Sequence, residues 1–193
     1  MAFGAMIMLL VSVSSYFTYQ VQARRRGLRA KQNAAKLVSG TEVEPIKAID
    51  GDEASVKAAG TPAIVRILGV KAFSAKANEG DFQTLGRQAR NELNKLIRGK
   101  GPLVVEYAVY QRDRYGRTLA YLRCGEKDVG LELVRRGLVM VYTRYRFARQ
   151  SLYLTAEAHA RAQELGLWGS KRATERAKGL KAAWTEAAQE GSK

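Results

Sequence analysis

Residues 46–70, IKAIDGDEASVKAAGTPAIVRILGV, constrain the fold most, because apolar and polar residues alternate on both sides of two tight turns. A period of two is typical of half-buried β-strands. At the first turn, residues 50–52, the missing Cβ of Gly51 is expected to allow a positive φ that directs a carboxylate out of the strand end, although Asp-Gly-Asp is also common as ordinary turn chemistry. Arg66 lies on the strand after the second turn, so the stretch predicts a sheet with an acidic turn and a guanidinium along one edge.

The rest of the chain predicts two more strands and three helices. Apolar residues recur at intervals of three and four after Asp81, which is a candidate helix cap, and Asp128 is a candidate cap for a second, short helix. The strands are expected at residues 43–49, 54–58, 63–70, 102–111 and 117–124. Five strands with three helices predict an α+β fold, a five-stranded Greek-key barrel of the OB type.

Four segments in this order resemble the staphylococcal nuclease-like (thermonuclease) domain. They are IKAIDGD with the hairpin and VRILGV strand that follow, RDRYGRTLAYL, LVRRGLVMV, and AEAHARAQELGLW. The resemblance covers about residues 43–170. It implies an OB-type barrel that, in the family, binds calcium and cleaves phosphodiesters.

The resemblance also implies roles for single residues. The metal-binding aspartate of the turn falls on Asp52, and the two arginines that hold the phosphate fall on Arg66 and Arg117. Tyr115 and Tyr145 lie near the places where the family contacts a nucleotide. Rim residues of the barrel are the alternative interpretation of both tyrosines.

The sequence departs from the family at three positions. The second metal aspartate falls on Lys71, the glutamate that activates water falls on Ser74, and Glu53 stands where threonine is usual. Calcium takes six to eight oxygen ligands. Replacing a carboxylate about 4 Å from the ion by an ammonium costs up to about 8 kcal/mol at an effective dielectric of about 20. Ser74 is also a weak base. We therefore expect no bound metal or cofactor, no nuclease activity by the family mechanism, and an ion pair between Asp52 and an inward-pointing Lys71.

Three other carboxylates could restore a metal site. Glu53, Glu79 and Asp81 are expected near the same end of the barrel. The alternative is that Glu53 is solvated and Asp81 caps a helix.

Both ends of the chain lie outside the resemblance. Residues 3–19 carry no charge and are followed by a basic cluster, so residues 1–22 are expected to form a single transmembrane anchor and residues 23–40 a basic juxtamembrane helix. A cleaved signal peptide fits less well, because no cationic residue precedes the apolar run. Residues 171–193 are expected to form a docking helix in which Trp184 anchors a partner. The membrane-proximal basic residues are Arg24, Arg25, Arg26 and Arg29.

A net charge of +15 and a pI near 10.1 predict polyanionic partners, either nucleic acids or anionic lipids such as cardiolipin. The favoured hypothesis is a membrane-anchored, non-catalytic accessory subunit of a larger membrane protein complex. Its expected location is the matrix side of the mitochondrial inner membrane, in a respiratory or ATP-synthase-type assembly, with a bacterial inner membrane as the alternative. Two further hypotheses are a membrane-tethered nucleic-acid-binding protein and an active calcium-dependent nuclease with rearranged ligands.

Overall fold

The computed structural model describes residues 37–113 and 115–190. The predicted anchor of residues 1–22, the juxtamembrane arginines and most of the predicted basic helix therefore lie outside the described residues. Among the helices that are described, none is long and apolar enough to cross a membrane.

The centre of the structure is a closed five-stranded barrel, as predicted. Its strands are hydrogen-bonded in the order β3-β2-β1-β5-β6, and a parallel pairing of β3 with β6 closes the barrel. Short strands β4 and β8 form a separate two-stranded ladder, and the short strand β7 pairs antiparallel with β6 at the edge of the main sheet. The bounds are β1 Glu42–Asp50, β2 Glu53–Ala58, β3 Thr61–Ile67, β4 Val70–Lys71, β5 Leu103–Arg112, β6 Thr118–Cys124, β7 Lys127–Asp128 and β8 Met140–Val141.

The described residues form four α-helices, the three predicted with the barrel and the one predicted at residues 171–193. Asp128 caps the second helix as expected, with Oδ1 accepting from the Leu131 N–H at 3.0 Å. The prediction for Asp81 is wrong, because the first helix begins at Gly80, its N-cap is Glu79, and it has no side-chain cap. The helices are α1 Gly80–Leu96, α2 Val129–Arg135, α3 Gln150–Ala162 and α4 Lys171–Glu190.

Helix α4, whose apolar stripe was expected to dock onto a partner, packs this stripe on its own chain. Ala173 and Ala177 are buried in a cluster that Leu180 and Trp184 also contact. The ring of Trp184 meets Tyr142 edge-on, with 4.7 Å between the ring centroids. The apolar stripe of α4 therefore packs against an apolar surface of the same chain.

The β4–β8 ladder connects α4 to the barrel end that carries the Asp-Gly-Asp turn. Lys71 pairs with Met140, and the backbone N–H of Val141 donates to buried Glu157 at 2.8 Å. Lys181 of α4 forms an ion pair with the other oxygen of Glu157. The backbone of β4 is therefore held in place by its pairing with β8, which in turn contacts Glu157.

Candidate functional site

The Asp-Gly-Asp turn is held against α1 by close packing. Asp50 Oδ1 accepts hydrogen bonds from the N–H groups of Gly51 and Ala75, both at 3.0 Å. Gly51 does not have a positive φ, so our expectation that it would adopt one is wrong. A Cβ at this position would lie 2.5 Å from the Cβ of Ala89 and 2.7 Å from that of Ala72. Glycine is needed here for space.

Asp52 is buried between two cations. It is 3% exposed, and its Oδ2 lies 3.0 Å from Arg66 Nη2 and 3.4 Å from Lys71 Nζ. The same oxygen accepts from the Ala72 N–H at 2.9 Å. Burial alone would raise the pKa of Asp52, but the charges of Arg66 and Lys71 and these hydrogen bonds hold it below its ordinary value. The carboxylate is therefore ionised at neutral pH, and the expected pairing with Lys71 is present.

Arg66 acts as an internal brace in this structure. Besides the ion pair, its guanidinium donates to the carbonyls of Asp52 at 2.9 Å, Ile67 at 3.2 Å and Val70 at 2.8 Å. Its side chain is only 11% exposed. Three of its five N–H groups donate to these carbonyls, and the ion pair engages Nη2 as well. It therefore presents less hydrogen-bonding capacity to a phosphate than the sequence suggested.

Arg117 lies at the same barrel end, between two carboxylates. Its Nε donates to Asp113 Oδ2 at 2.6 Å, its Nη2 lies 2.5 Å from the same oxygen, and its Nη1 pairs with Glu53. Glu53 is also the cross-strand neighbour of Arg66, so the structure brings the two predicted phosphate arginines together. Burial alone would lower the pKa of Arg117, but the two carboxylates outweigh it and raise the pKa. Arg117 keeps its charge at every working pH.

Two exposed aromatic side chains have arginines beside them. Tyr115 is 46% exposed, and the guanidinium carbon of Arg117 lies 5.3 Å from its ring centroid. Tyr145 is 65% exposed, and the corresponding distance from Arg144 is 5.7 Å. Exposed rings beside cations are the arrangement that stacks bases and contacts phosphates in single-stranded nucleic acids.

Of the three carboxylates that were expected to restore a metal site, one lies at the site. Glu53 contacts Arg117. Glu79 and Asp81 both pair with Arg172 of α4, the second at 3.2 Å. These two acids therefore fasten α4 to the start of α1.

The described residues do not fit a calcium ion. No group of three or more histidine, cysteine, aspartate or glutamate side chains is placed to hold a metal within residues 37–113 and 115–190. Asp52 faces an ammonium from Lys71. Ser74 is exposed, and its hydroxyl accepts a backbone hydrogen bond from Lys76 at 3.2 Å. This geometry supplies cations where a metal site needs oxygen ligands.

Sequence reasoning placed Asp113 and Asp50 in turns but assigned neither carboxylate a contact in this site. Asp113 lies four residues before Arg117 and also accepts from the N–H groups of Tyr115 and Arg117, at 2.9 and 3.0 Å. An aspartate that opens a turn before a glycine is the signal that could have identified it. Asp50 opens the predicted Asp-Gly-Asp turn, but its hydrogen bond from the Ala75 N–H joins residues 25 positions apart and therefore has no local signal.

The family profile described as "Staphylococcal nuclease homologue" matches residues 64–170, more than half of the chain. The chain belongs to this family. A relative from Pyricularia oryzae, "Probable endonuclease LCL3", is 35% identical over an alignment of 115 residues that covers 55% of this chain and 44% of the relative. A relative from Haemophilus influenzae, "Uncharacterized endonuclease", is 29% identical over 131 residues, 67% of each chain.

These relatives correct one expectation. We expected a chain that is not an enzyme, whereas relatives from Pyricularia oryzae, Haemophilus influenzae, Verticillium alfalfae and Pyrenophora tritici-repentis are named endonucleases. The chain spans less than half the length of the fungal relatives that it matches. The activity of the whole fungal proteins can therefore be assigned to this chain only as a proposal.

Proposed function

We propose that this chain binds the phosphodiester backbone of single-stranded nucleic acid at the barrel end around Lys71 and Arg117, and that it cleaves this backbone as an endonuclease. The observation that carries the proposal is the meeting of Arg66, Lys71 and Arg117 at one end of the barrel. Lys71 contacts Asp52 and Arg117 contacts Glu53, and these two carboxylates are consecutive in the chain.

Lys71 and Arg117 are the cations that can reach an added phosphate. Lys71 is 43% exposed and uses one of its three N–H donors on Asp52. Arg117 has two N–H groups beyond those that its three carboxylate contacts use. Charge-assisted hydrogen bonds from such groups to phosphate oxygens are short and strong. Tyr115, next to Arg117, offers a ring face to the neighbouring base.

Cleavage is proposed from the names of the relatives and from the acids of the site. Hydrolysis forms a bond from the water oxygen to phosphorus and breaks a P–O bond, so one group must accept a proton from the water and the leaving oxygen must take up a proton to depart as an alcohol. Cations must stabilise the charge that develops on the phosphate. Glu53 and Asp113 both contact Arg117 and are the candidate proton acceptors. Lys71 and Arg117 are the candidate stabilising cations.

The test is binding and cleavage of a labelled single-stranded oligothymidine by the full chain. Fluorescence anisotropy is expected to show a Kd that rises at least about tenfold in Arg117→Ala and falls in low salt. Arg176→Ala, which removes an exposed arginine of α4, is the matched control and should bind like the wild type. Denaturing gels should show products that Glu53→Gln and Arg117→Ala reduce. Binding without cleavage would remove the endonuclease part, and binding that ignores Arg117 would overturn the proposal.

We also propose that residues 1–22 anchor the chain in a membrane, with the barrel on the matrix side of the mitochondrial inner membrane. The support is the uncharged run of residues 3–19 and the arginines that follow it. Anionic lipids such as cardiolipin and other subunits of a membrane complex are the proposed partners at this location. Extraction of the native membranes at alkaline pH should leave the chain in the pellet, and its release would refute the anchor.

A further inference from the structure

The side chain of Lys71 starts from a fixed point beside the site. Its strand, β4, is paired with β8, and the carbonyl of Val70 accepts from Arg66 Nη2 at 2.8 Å. The next residue, Ala72, donates its N–H to Asp52 at 2.9 Å. The backbone at position 71 is therefore held beside the Asp52 carboxylate, and Lys71 Nζ lies 3.4 Å from Asp52 Oδ2.

Lys71 is a surplus cation at this carboxylate. Arg66 already neutralises Asp52 through a contact at 3.0 Å between largely buried groups. Adding Lys71 gives the three groups a net charge of +1, by the sum of one negative and two positive charges. A divalent cation is repelled from such a group, and an anion is attracted to it.

The exposed fraction of the Lys71 side chain shows that solvent can reach the extra positive charge. Its side chain is 43% exposed, whereas those of Arg66 and Asp52 are 11% and 4% exposed. The ammonium is thus the part of this trio that solvent and ligands can reach. Two of its three N–H donors lie beyond the one contact with Asp52.

We propose that Lys71 is a built-in cation that takes the place of a metal ion at Asp52, so that this barrel end binds a phosphate group without calcium. The proposal has two parts. The calcium part stands on the geometry of Asp52, Arg66 and Lys71 alone. The phosphate part rests on the proposed nucleic-acid binding.

The first experiment is a calcium titration by isothermal calorimetry, which needs no nucleic acid. It compares the full-length wild type with Lys71→Asp, which changes the local charge by two units and offers a second carboxylate beside Asp52. Lys76→Asp makes the same charge change at an exposed lysine five residues away and is the matched control. We expect Lys71→Asp to bind calcium at least about a hundredfold more tightly than the wild type or Lys76→Asp.

The second experiment measures anisotropy of a 5′-phosphorylated, labelled oligothymidine in EDTA and in calcium. Wild-type binding should be the same in both buffers. Lys71→Asp should bind at least about tenfold more weakly in EDTA and regain affinity in calcium, and Lys71→Met should bind weakly in both. The neutral Lys71→Met variant keeps this arm informative if Lys71→Asp fails to fold.

The outcomes separate the two proposals. If Lys71→Asp binds calcium no more tightly than the wild type, the proposal that Lys71 is a built-in cation is overturned. Wild-type oligothymidine binding that needs calcium overturns the phosphate part. Failure to bind oligothymidine in any buffer, with the expected calcium results, refutes only nucleic-acid binding and its phosphate part.

Discussion

Removing the charge of Asp52 is expected to destabilise the barrel strongly. In Asp52→Asn the shape of the side chain is kept, but Arg66 and Lys71 lose their counter-charge. The guanidinium of Arg66 is largely buried and is held by three backbone carbonyls, so it cannot turn to water without releasing them. Lys71 is 43% exposed and can rotate outward at little cost. The penalty is therefore set by Arg66.

Breaking a buried ion pair by removing one partner typically costs 3–5 kcal/mol, because the other charge stays buried without compensation. Solvent reaches Arg66 slightly, so we expect a loss near the lower end, about 3 kcal/mol in the free energy of unfolding. With a urea m-value of roughly 2 kcal/mol/M, the unfolding midpoint should fall by about 1.5 M.

The assay is urea unfolding of the wild type and Asp52→Asn at several pH values. Because the folded pKa of Asp52 lies below its ordinary value of 3.8, its ionisation stabilises the native state fully above that pH. This contribution is lost as the pH falls further, through the folded pKa. The difference between the two proteins should therefore be constant at neutral pH and shrink below about pH 3.8.

The control for this prediction is Glu79→Gln, which breaks an exposed ion pair with Arg172. Exposed pairs contribute at most about 1 kcal/mol, so this variant should unfold close to the wild type. If Asp52→Asn unfolds within about 1 kcal/mol of the wild type at pH 7, Arg66 is not a buried, uncompensated charge in the variant, and the account of the site is wrong.

Three further changes test the packing around the site. Gly51→Ala should cost at least about 2 kcal/mol, because its Cβ would overlap Ala89 and Ala72, and a denaturation curve like that of the wild type would refute the space argument. Trp184→Ala should raise amide hydrogen exchange across α4 while leaving the barrel strands protected, and unchanged exchange in α4 would contradict its docking on Tyr142. Tyr153→Phe removes a 2.8 Å hydrogen bond to Asp128 and should lower the unfolding free energy by about 1–2 kcal/mol, which thermal denaturation would show; a stability equal to that of the wild type would mean that the bond contributes nothing.

The barrel was predictable because its strands carry local signals. Alternating burial along β2 and the turn at residues 60–62 fix register and connection without reference to distant residues. The cap of the second helix was predictable for the same reason, since Asp128 contacts Leu131 only three residues away. The first helix lacks such a cap, and its N-cap is Glu79 and not Asp81, so its start was misplaced by two residues.

The site was predictable only in part, because its electrostatics depend on contacts that are distant in sequence. The positions of Asp52, Arg66 and Arg117 followed from the resemblance, but the pairing of Arg117 with Glu53 joins residues 64 positions apart. The use of Arg66 as a backbone brace depends on the path of the chain between β3 and β4. The partner of Trp184 required the position of α4 on the barrel, which no local pattern specifies.

The most direct test of the account is a crystal structure of the chain soaked with a 5′-phosphorylated oligothymidine and calcium. The account predicts a phosphate within hydrogen-bond distance of Lys71 and Arg117, with the Lys71 ammonium still beside Asp52. A calcium ion bound to Asp52, with Lys71 turned away into solvent, would contradict it.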